Sequence, residues 1–255
     1  MSTTLTLIGG PTALIDIDGF RILTDPTFDP PGEYPIPGGV LVKESGPAMG
    51  LDQVSPVDLV TLSHAHHPDN LDASGEAFAR QHAHVVGSHM AKEQLPGVTA
   101  LDAWESTVVT SSQGQEFIVT AVPARHGPVG CEDITGIVSG FVIESTGKPT
   151  IYISGDNAAL ELVHEISEKF PRIDVAVLFT GAARVGLFDN APLTLTAEMA
   201  AEATRILGNP VVFPVHSEGW AHFSEDRALL QAAFIAHGIE SKLRLVTPGE
   251  SLDLT

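Results

Sequence analysis

The chain has 255 residues, 43% of them hydrophobic, and a formal net charge of −19. This length fits one layered domain as well as two small ones, and we predict a single domain over residues 1–255. The acidic charge repels phosphate backbones, which argues against nucleic acid as a natural partner. No run of about 18 apolar residues occurs and no basic segment opens the chain, so we expect neither a membrane span nor a signal peptide.

The single cysteine, Cys131, has no partner for an internal disulfide. This suits a reducing compartment, and we expect a cytoplasmic protein. No base or metal motif adjoins Cys131 in the sequence, so we expect an inert thiol and not a nucleophile. With nucleic acid and membrane set aside, the expected partner is a small-molecule substrate, and the sequence leaves open whether the chain forms a homo-oligomer.

Three short strands are predicted at the start of the chain, at Leu5–Ile8, Ala13–Ile17 and Phe20–Thr24. Glycine-containing turns separate them, and Asp18-Gly19 is a signal for a tight hairpin. The third strand ends in Thr24-Asp25-Pro26. Asp25 is a candidate for orienting a metal-ligating histidine, and a turn-forming aspartate is the equal alternative.

A stretch rich in proline and glycine runs from Phe28 to Gly50. A loop of this length in a compact domain tends to be functional or disordered. Strands of the same sheet pattern flank it, so we interpret it as a flap or wall over a site and not as a linker between domains.

The most informative stretch is Asp58–Asp72, DLVTLSHAHHPDNLD. Leu59–Leu62 is continuously apolar or β-branched, as in a strand buried on both faces. The nine residues after Ser63 include His64, His66, His67, Asp69, Asn70 and Asp72. Such side chains are costly to bury unless they are hydrogen-bonded or hold a metal, and Pro68 stiffens their loop. The set suits a catalytic Zn²⁺ or Mn²⁺ site, whereas a solvated histidine-rich turn is the alternative.

Other polar side chains also follow predicted strands. His126 follows 116–122, Asp156 follows 150–154 and His216 follows 211–215, so that five strand exits, with those of Asp25 and His64, end in a ligand-capable side chain. Further along, Trp220 and His222 are candidates for lining a pocket, and packing in the core is the less favoured alternative for Trp220. We expect His82, His84 and His89 to be surface or packing residues, because none has a ligand spacing with a carboxylate.

Helices are predicted at about residues 73–81, 88–95, 158–170, 196–207 and 225–237, and the final strand at Leu243–Val246. Ser88 and Thr196 are the predicted N-caps of two of these helices. Strands and helices recur in two halves. Two such halves, packed sheet to sheet with helices outside, give an α/β protein with a four-layer αββα sandwich.

The stretch after Leu62 resembles the metal-ligand signature of the metallo-β-lactamase superfamily, in which a strand ends in Thr/Ser-His followed by x-His-x-Asp-His. Both ends match, but one extra residue lies between them, so that His66 and His67 compete for the second place. Asn70 stands where the family has its third histidine. The landmarks Thr24-Asp25-Pro26, His126, Ser154-Gly155-Asp156 and His216 extend the resemblance over nearly the whole chain, while Gly10 replaces a usual histidine.

The resemblance implies metals at one edge of the sandwich, with one ion held by His64, His67 and His126, and a second by Asp69, Asp156 and His216, Asp156 bridging both. We favour His67 over His66 because Pro68 rigidifies the turn between His67 and Asp69. The register that uses His66 stays open. The neutral amide of Asn70 predicts one tight and one weaker ion, Zn²⁺ or Mn²⁺.

This ligand set implies a metal-dependent hydrolase, since a water bound between two dications loses a proton near neutral pH and becomes a nucleophile. The candidate catalytic residues are Asp69, Asp156 and His222. Within the superfamily the sequence looks most like the group that contains ascorbate-6-phosphate lactonase and N-acyl phosphatidylethanolamine phospholipase D. The expected substrate is a small cytoplasmic ester, lactone or phosphodiester. The alternative is a non-catalytic metal-binding domain of the same fold, in which the shifted loop and Asn70 mark lost activity.

Overall fold

The computed structural model describes residues 2–81 and 84–254, over which the chain forms fifteen strands and seven α-helices. The strands are β1 (Thr3–Gly9), β2 (Thr12–Ile17), β3 (Phe20–Thr24), β4 (Gly32–Ile36), β5 (Gly39–Lys43), β6 (Leu59–Leu62), β7 (Val85–Gly87), β8 (Thr99–Ala100), β9 (Ser106–Thr110), β10 (Glu116–Ala124), β11 (Val138–Glu144), β12 (Ile151–Ile153), β13 (Val175–Phe179), β14 (Val211–Val215) and β15 (Ser251–Asp253). The helices are α1 (Leu51–Val54), α2 (Ala73–Ala79), α3 (His89–Gln94), α4 (Glu132–Thr135), α5 (Leu160–Lys169), α6 (Ala197–Ile206) and α7 (Arg227–Ala236).

Two mixed sheets contain thirteen of these strands, in the orders β15-β1-β2-β3-β6-β7-β8 and β14-β13-β12-β11-β10-β9. In the first sheet β3 and β6 are parallel. In the second, β12, β13 and β14 are parallel, and β10 runs in their direction because β11 is antiparallel to both β10 and β12. The carboxyl ends of the predicted ligand-bearing strands therefore lie at one edge of each sheet.

Three hydrophobic layers hold the two sheets and their helices together. The inner layer lies between the sheets, and Phe20 of the first sheet stacks on Phe117 of the second with ring centroids 3.8 Å apart. A second layer, which includes Phe78 and Leu95, packs α2 and α3 on the outer face of the first sheet. A third packs α5, α6 and α7 on the outer face of the second sheet. The predicted αββα sandwich is confirmed.

The predicted helix caps are also found. The Ser88 side chain accepts a hydrogen bond from the Ala91 N–H, and the Thr196 side chain accepts one from the Met199 N–H. Each satisfies a backbone donor that the first turn of a helix leaves free. No helix within residues 2–81 and 84–254 is long and apolar enough to cross a membrane.

Two sequence predictions of structure are wrong. The stretch from Phe28 to Gly50 is not an irregular loop, because β4 and β5 form an antiparallel hairpin within it. Its turn is Pro37-Gly38, and the positive φ of Gly38, 84°, is the conformation that a proline–glycine turn needs. The final strand is β15, paired with β1, whereas Leu243 makes only an isolated bridge with Val212.

Gly75 tests how tightly α2 packs against the chain that follows β3. A Cβ added at Gly75 would lie 1.8 Å from the carbonyl oxygen of Pro26, so the helix must move to admit one. We expect Gly75→Ala to lower the free energy of unfolding by about 3 kcal/mol or more. Gly97→Ala is the control, because a Cβ at Gly97 meets nothing within 4 Å. Urea unfolding of both variants is the measurement, and equal midpoints would contradict the packing described.

Candidate metal centre

The loop after β6 begins with a fixed histidine. His64 is fully buried, and its Nδ1 lies 3.1 Å from Ser63 Oγ. Ser63 Oγ donates in turn to Asp25 Oδ1 at 2.9 Å, and the Ser63 N–H donates to the same oxygen at 2.8 Å. Since the hydroxyl proton of Ser63 is directed to Asp25, Nδ1–H of His64 donates to Ser63 and Nε2 carries the lone pair that a metal ion would bind.

Asp25 therefore contacts the ligand loop and does more than form a turn. It is 1% exposed, and burial raises the pKa of its carboxyl well above the usual range, against the opposing effect of the Ser63 hydrogen bonds. It reaches His64 only through Ser63. Hydrogen bonds of this indirect kind, behind the ligand, orient metal-binding imidazoles.

Three histidines converge beside this loop. His64 Nε2 lies 2.9 Å from His67 Nδ1, and His126 follows β10 with its Nδ1 2.8 Å from the carbonyl oxygen of Leu193. That carbonyl can only accept, so His126 Nδ1 donates and Nε2 is free. One nitrogen from each of His64, His67 and His126 lies within 4.8 Å of the others, and we call these residues the three-histidine group.

Two imidazoles of this group, those of His64 and His67, are in the form that binds metals. Burial lowers the pKa of His67 to about 4, and burial lowers the pKa of His64 well below its usual value. Both rings are therefore neutral near pH 7, and a neutral imidazole has the lone pair that a divalent ion needs.

Two aspartates and a histidine form a second cluster next to the first. Asp69, Asp156 and His216 are all buried, and one ligand atom of each lies within 4.8 Å of the others; we call them the carboxylate group. His216 Nε2 lies 3.4 Å from Asp69 Oδ2 and 3.6 Å from Asp156 Oδ1. Asp156 also approaches the three-histidine group, since its Oδ2 is 3.5 Å from His126 Nδ1. Asp156 therefore lies between the two groups.

Charge interactions hold Asp69 in its ionised form. Burial alone raises the pKa of Asp69, but the neighbouring imidazoles of His216 and His222 outweigh it and hold that pKa well below the usual value. Burial lowers the pKa of His216, yet the carboxylates of Asp156 and Asp69 leave it raised.

Asn70 contacts Asp156 directly. Its Nδ2 donates to Asp156 Oδ1 at 3.1 Å and lies 3.4 Å from Ser63 Oγ, and its side chain is fully buried. Asn70, which occupies the position of the family's third histidine, thus holds Asp156 in place between the two groups.

His222 lies beside the carboxylate group, with its Nε2 2.9 Å from Asp69 Oδ2. Trp220 is 2% exposed, and its ring centroid is 5.9 Å from that of His222. The ring centroid of Tyr34 in β4 is 5.5 Å from that of Trp220, and Lys43 Nζ of β5 lies 5.4 Å from the Trp220 ring centroid. The β4–β5 hairpin is therefore a wall next to His222. Trp220 packs against this hairpin and also borders the metal centre.

The remaining predicted histidines lie outside both groups. His66 is exposed, and its ring lies against the backbone of Gly136, where an added Cβ would be 3.0 Å from His66 Cε1. His84 and His89 are exposed, as expected of surface residues, and His82 lies outside the described residues. Cys131 is buried.

Unpaired polar atoms show that the residues present fit a metal. Ten buried side-chain nitrogen or oxygen atoms in the described part of the chain have no hydrogen-bond partner, and six of them belong to this centre. These six are Asp69 Oδ1, Asn70 Oδ1, Asp156 Oδ2, His216 Nδ1, His216 Nε2 and His222 Nδ1. A buried polar atom without a partner is costly, and coordination of divalent ions would satisfy several of these together.

Comparison with known proteins places the chain in a family. The model of the beta-lactamase superfamily domain matches residues 20–217. The chain therefore belongs to the metallo-β-lactamase superfamily, as its ligand loop indicates, and metal-dependent hydrolase is the class that the family and its relatives support.

Individual relatives agree with this class. A UPF0173 metal-dependent hydrolase from Pyrococcus abyssi is 29% identical over 202 residues, which cover 78% of this chain and 82% of that protein. The crystal structure of an isothiocyanate hydrolase from Delia radicum gut bacteria superposes with a TM-score of 0.78 at 21% identity, covering 98% of both chains. A possible metal-dependent hydrolase from Veillonella parvula gives a TM-score of 0.81 at 18% identity, covering 99% of both chains.

Sequence reasoning missed the contacts that orient the site. The carbonyl of Leu193 lies 67 residues from His126, and no pattern marks a backbone acceptor. The buried pair of Lys43 with Asp72, 3.1 Å apart, joins the hairpin to the end of the ligand loop. In the sequence, Lys43 within the proline-rich stretch was the one available signal for that pair.

The first prediction from this geometry separates the two adjacent histidines. We expect His67→Ala to lose the ion of the three-histidine group, because a ligand nitrogen is removed. His66→Ala should keep it, because the exposed His66 belongs to neither group. Elemental analysis after dialysis of both folded variants is the measurement. Loss of metal in His66→Ala with retention in His67→Ala would show that the other register is correct.

The second prediction concerns Asn70. The wild type should retain about one ion per chain after dialysis and approach two when metal is added, because a neutral amide is a weak ligand. Asn70→Asp replaces the amide that donates to Asp156 Oδ1 with a second anionic oxygen, a repulsion that a bound ion removes, so we expect the variant to keep the second ion through dialysis and to lose stability when it is stripped of metal. Asn209→Asp is the matched control, since Asn209 is exposed and distant in sequence. Two ions retained by the wild type would contradict the prediction.

Proposed function

We propose that the protein is a metal-dependent hydrolase that cleaves a small ester or lactone, with Zn²⁺ or Mn²⁺ held by the three-histidine group and the carboxylate group. The observation that carries the proposal is the position of Asp156, which approaches His126 of one group and His216 of the other. Two adjacent sets of three donors that share one carboxylate are the arrangement that a two-ion hydrolytic centre needs.

The bound ions would supply Lewis acidity, which lowers the pKa of a coordinated water and polarises the carbonyl or phosphoryl oxygen under attack. The protein supplies rigid ligands. Ser63 fixes the ring of His64, the Leu193 carbonyl fixes the ring of His126, and Asn70 fixes Asp156. Ligands held in this way need no rearrangement when substrate arrives.

His222 is the proposed proton carrier of the site. Its Nε2 is hydrogen-bonded to Asp69, its side chain is 10% exposed, and its Nδ1 has no partner. Asp69 accepts the Nε2 proton and so orients the ring. A histidine held beside the metal ligands can deliver a proton to the oxygen of the departing alcohol.

The charges near the centre favour a neutral substrate. Lys43 is paired with Asp72, and Arg125 with Glu161. The Arg184 guanidinium binds Ser224 and the carbonyl of Asn190. With these cations engaged by the protein and a net charge of −19, an ester or lactone fits better than a phosphodiester, which is the second candidate.

The resemblance to ascorbate-6-phosphate lactonase agrees with a cyclic ester, whereas N-acyl phosphatidylethanolamine phospholipase D, of the same group, cleaves a phosphodiester and agrees with the second candidate. The competing function is a non-catalytic metal-binding domain, which the presence of Asn70 in place of a histidine favours. Metal content alone does not separate these two functions, so turnover must be measured.

The third prediction tests the hydrolase directly. Chelator-stripped protein is assayed on a lactone, an aryl ester and bis-p-nitrophenyl phosphate, with and without Zn²⁺ or Mn²⁺. We expect metal to restore ester or lactone turnover, and Asp156→Asn to lower it by more than about 100-fold while the fold is kept. Asp52→Asn, on the exposed side of α1, should leave turnover unchanged. No turnover on any substrate with both ions bound would favour the non-catalytic domain.

A further inference from the structure

Exposed apolar side chains concentrate around the metal centre. Eleven large hydrophobic residues in the described part of the chain are exposed, and five of them lie on two loops beside His126 and His222. The five are Val129, Ile134, Ile137, Val185 and Leu187, with exposed fractions from 37% to 82%. Scattered exposed apolar residues need no explanation, but a cluster at a site indicates an apolar ligand or partner.

The first loop, residues 184–191, passes from one side of the centre to the other. At its start the Arg184 N–H donates to the carbonyl of His222 at 2.9 Å. Just beyond its end the carbonyl of Leu193 binds His126 Nδ1 at 2.8 Å. The exposed Val185 and Leu187 therefore lie on a segment anchored at both ends to histidines of the site.

This loop also contains strained backbone. Phe188, Asp189 and Asn190 have successive φ values of 51°, 55° and 62°, a backbone conformation that residues other than glycine rarely adopt. The Arg184 guanidinium holds the turn through the carbonyl of Asn190. Strain of this kind, of order 1 kcal/mol or more per residue, persists where the surroundings hold it in place, and it clusters at ligand-binding segments.

The second loop, residues 127–137, begins directly after His126. Its Gly136 backbone lies against the exposed ring of His66, so the loop returns to the ligand loop before β11 begins. Ile134 of α4 and Ile137 are 61% and 55% exposed on this return. The second loop therefore borders the three-histidine group, and the first connects the His222 side of the centre with the His126 side.

The hairpin does not extend this apolar surface. Val40 and Val42 of β5 are 50% and 40% exposed, but they alternate with the buried Leu41 and Lys43, and Lys43 is the side chain that lies against Trp220. Two loops that are distant in sequence therefore present apolar side chains near one centre, and each is hydrogen-bonded to residues of the centre or packed against them.

We propose that these segments, which we call the apolar rim, bind an alkyl or aryl substituent on the substrate, so that the enzyme prefers esters or lactones with an apolar chain. The inference rests on the proposed hydrolase function and names the class of its substrate. Apolar area removed from water next to the reacting bond supplies binding energy without any charged contact. This is consistent with the cations near the centre being engaged by the protein.

The test is the affinity of the zinc-loaded chain for n-alkyl hydroxamates of increasing length, from acetyl to octanoyl, measured by calorimetry. The hydroxamate head binds the metal, so no turnover is needed. We expect the dissociation constant to fall by about two- to fourfold per methylene. Leu187→Ser and Ile134→Ser should flatten this dependence and leave the acetyl compound unchanged. Ile118→Ser on β10, where the side chain is 42% exposed, should retain the full dependence.

The outcomes distinguish the apolar rim as a substrate site from the hydrolase function itself. A flat series in the wild type, or equal slopes in the rim and control variants, overturns the apolar rim as a substrate site. A steep series without turnover of any ester contradicts the hydrolase and keeps the apolar ligand. Light scattering on the same variants tests whether a second copy of the chain covers the rim. A changed oligomeric state in the rim variants, together with hydroxamate affinities that do not depend on chain length, would mean that it does.

Discussion

The shared position of Asp156 is the constraint on which the rest of the centre depends. Its two oxygens face different groups, one towards His126 and one towards His216, and Asn70 fixes the second of them. These residues come from four distant segments of the chain. They meet because β10, β12 and β14 run in one direction in the second sheet and end at the same edge, next to the loop after β6 of the first.

The cost of this arrangement explains why metal and fold belong together. Asp25, Asp69 and Asp156 are buried near one another in a chain whose net charge is already −19. Buried carboxylates are unfavourable unless opposite charge is close. The imidazoles of His216 and His222 supply that charge for Asp69, whereas burial leaves the pKa of Asp25 raised. Divalent ions would supply the remainder, so ion binding and stability are linked in this protein.

Much of the fold was predictable because its signals are local. Continuous apolar runs such as Leu59–Leu62 predicted buried strands, and Ser88 and Thr196 predicted helix starts. The hairpin of β4 and β5 was missed because its proline-rich sequence masked the alternation of exposed Val40 and Val42 with buried Leu41. The final strand was missed because β15 depends on pairing with β1, which lies about 250 residues earlier in the chain.

The centre was predictable in composition but not in its supporting contacts. Strand exits and the family resemblance identified the six proposed ligands, and the structure brings them into two groups. The roles of Ser63 and Asn70 depend on distances across the fold. Asn70 appeared in the sequence as a weak ligand, whereas its amide lies against Asp156 as a hydrogen-bond donor. Side-chain direction at a buried position is set by tertiary packing, which one sequence does not reveal.

The most direct test of this account is anomalous diffraction from crystals of the chain soaked in Zn²⁺, recorded on both sides of the zinc edge. A two-ion centre would give one peak among the nitrogens of His64, His67 and His126, and a weaker one among Asp69, Asp156 and His216, with Asp156 between them. A peak confined to the exposed cluster of His89, Asp102 and Glu105, with none beside Asp156, would contradict it.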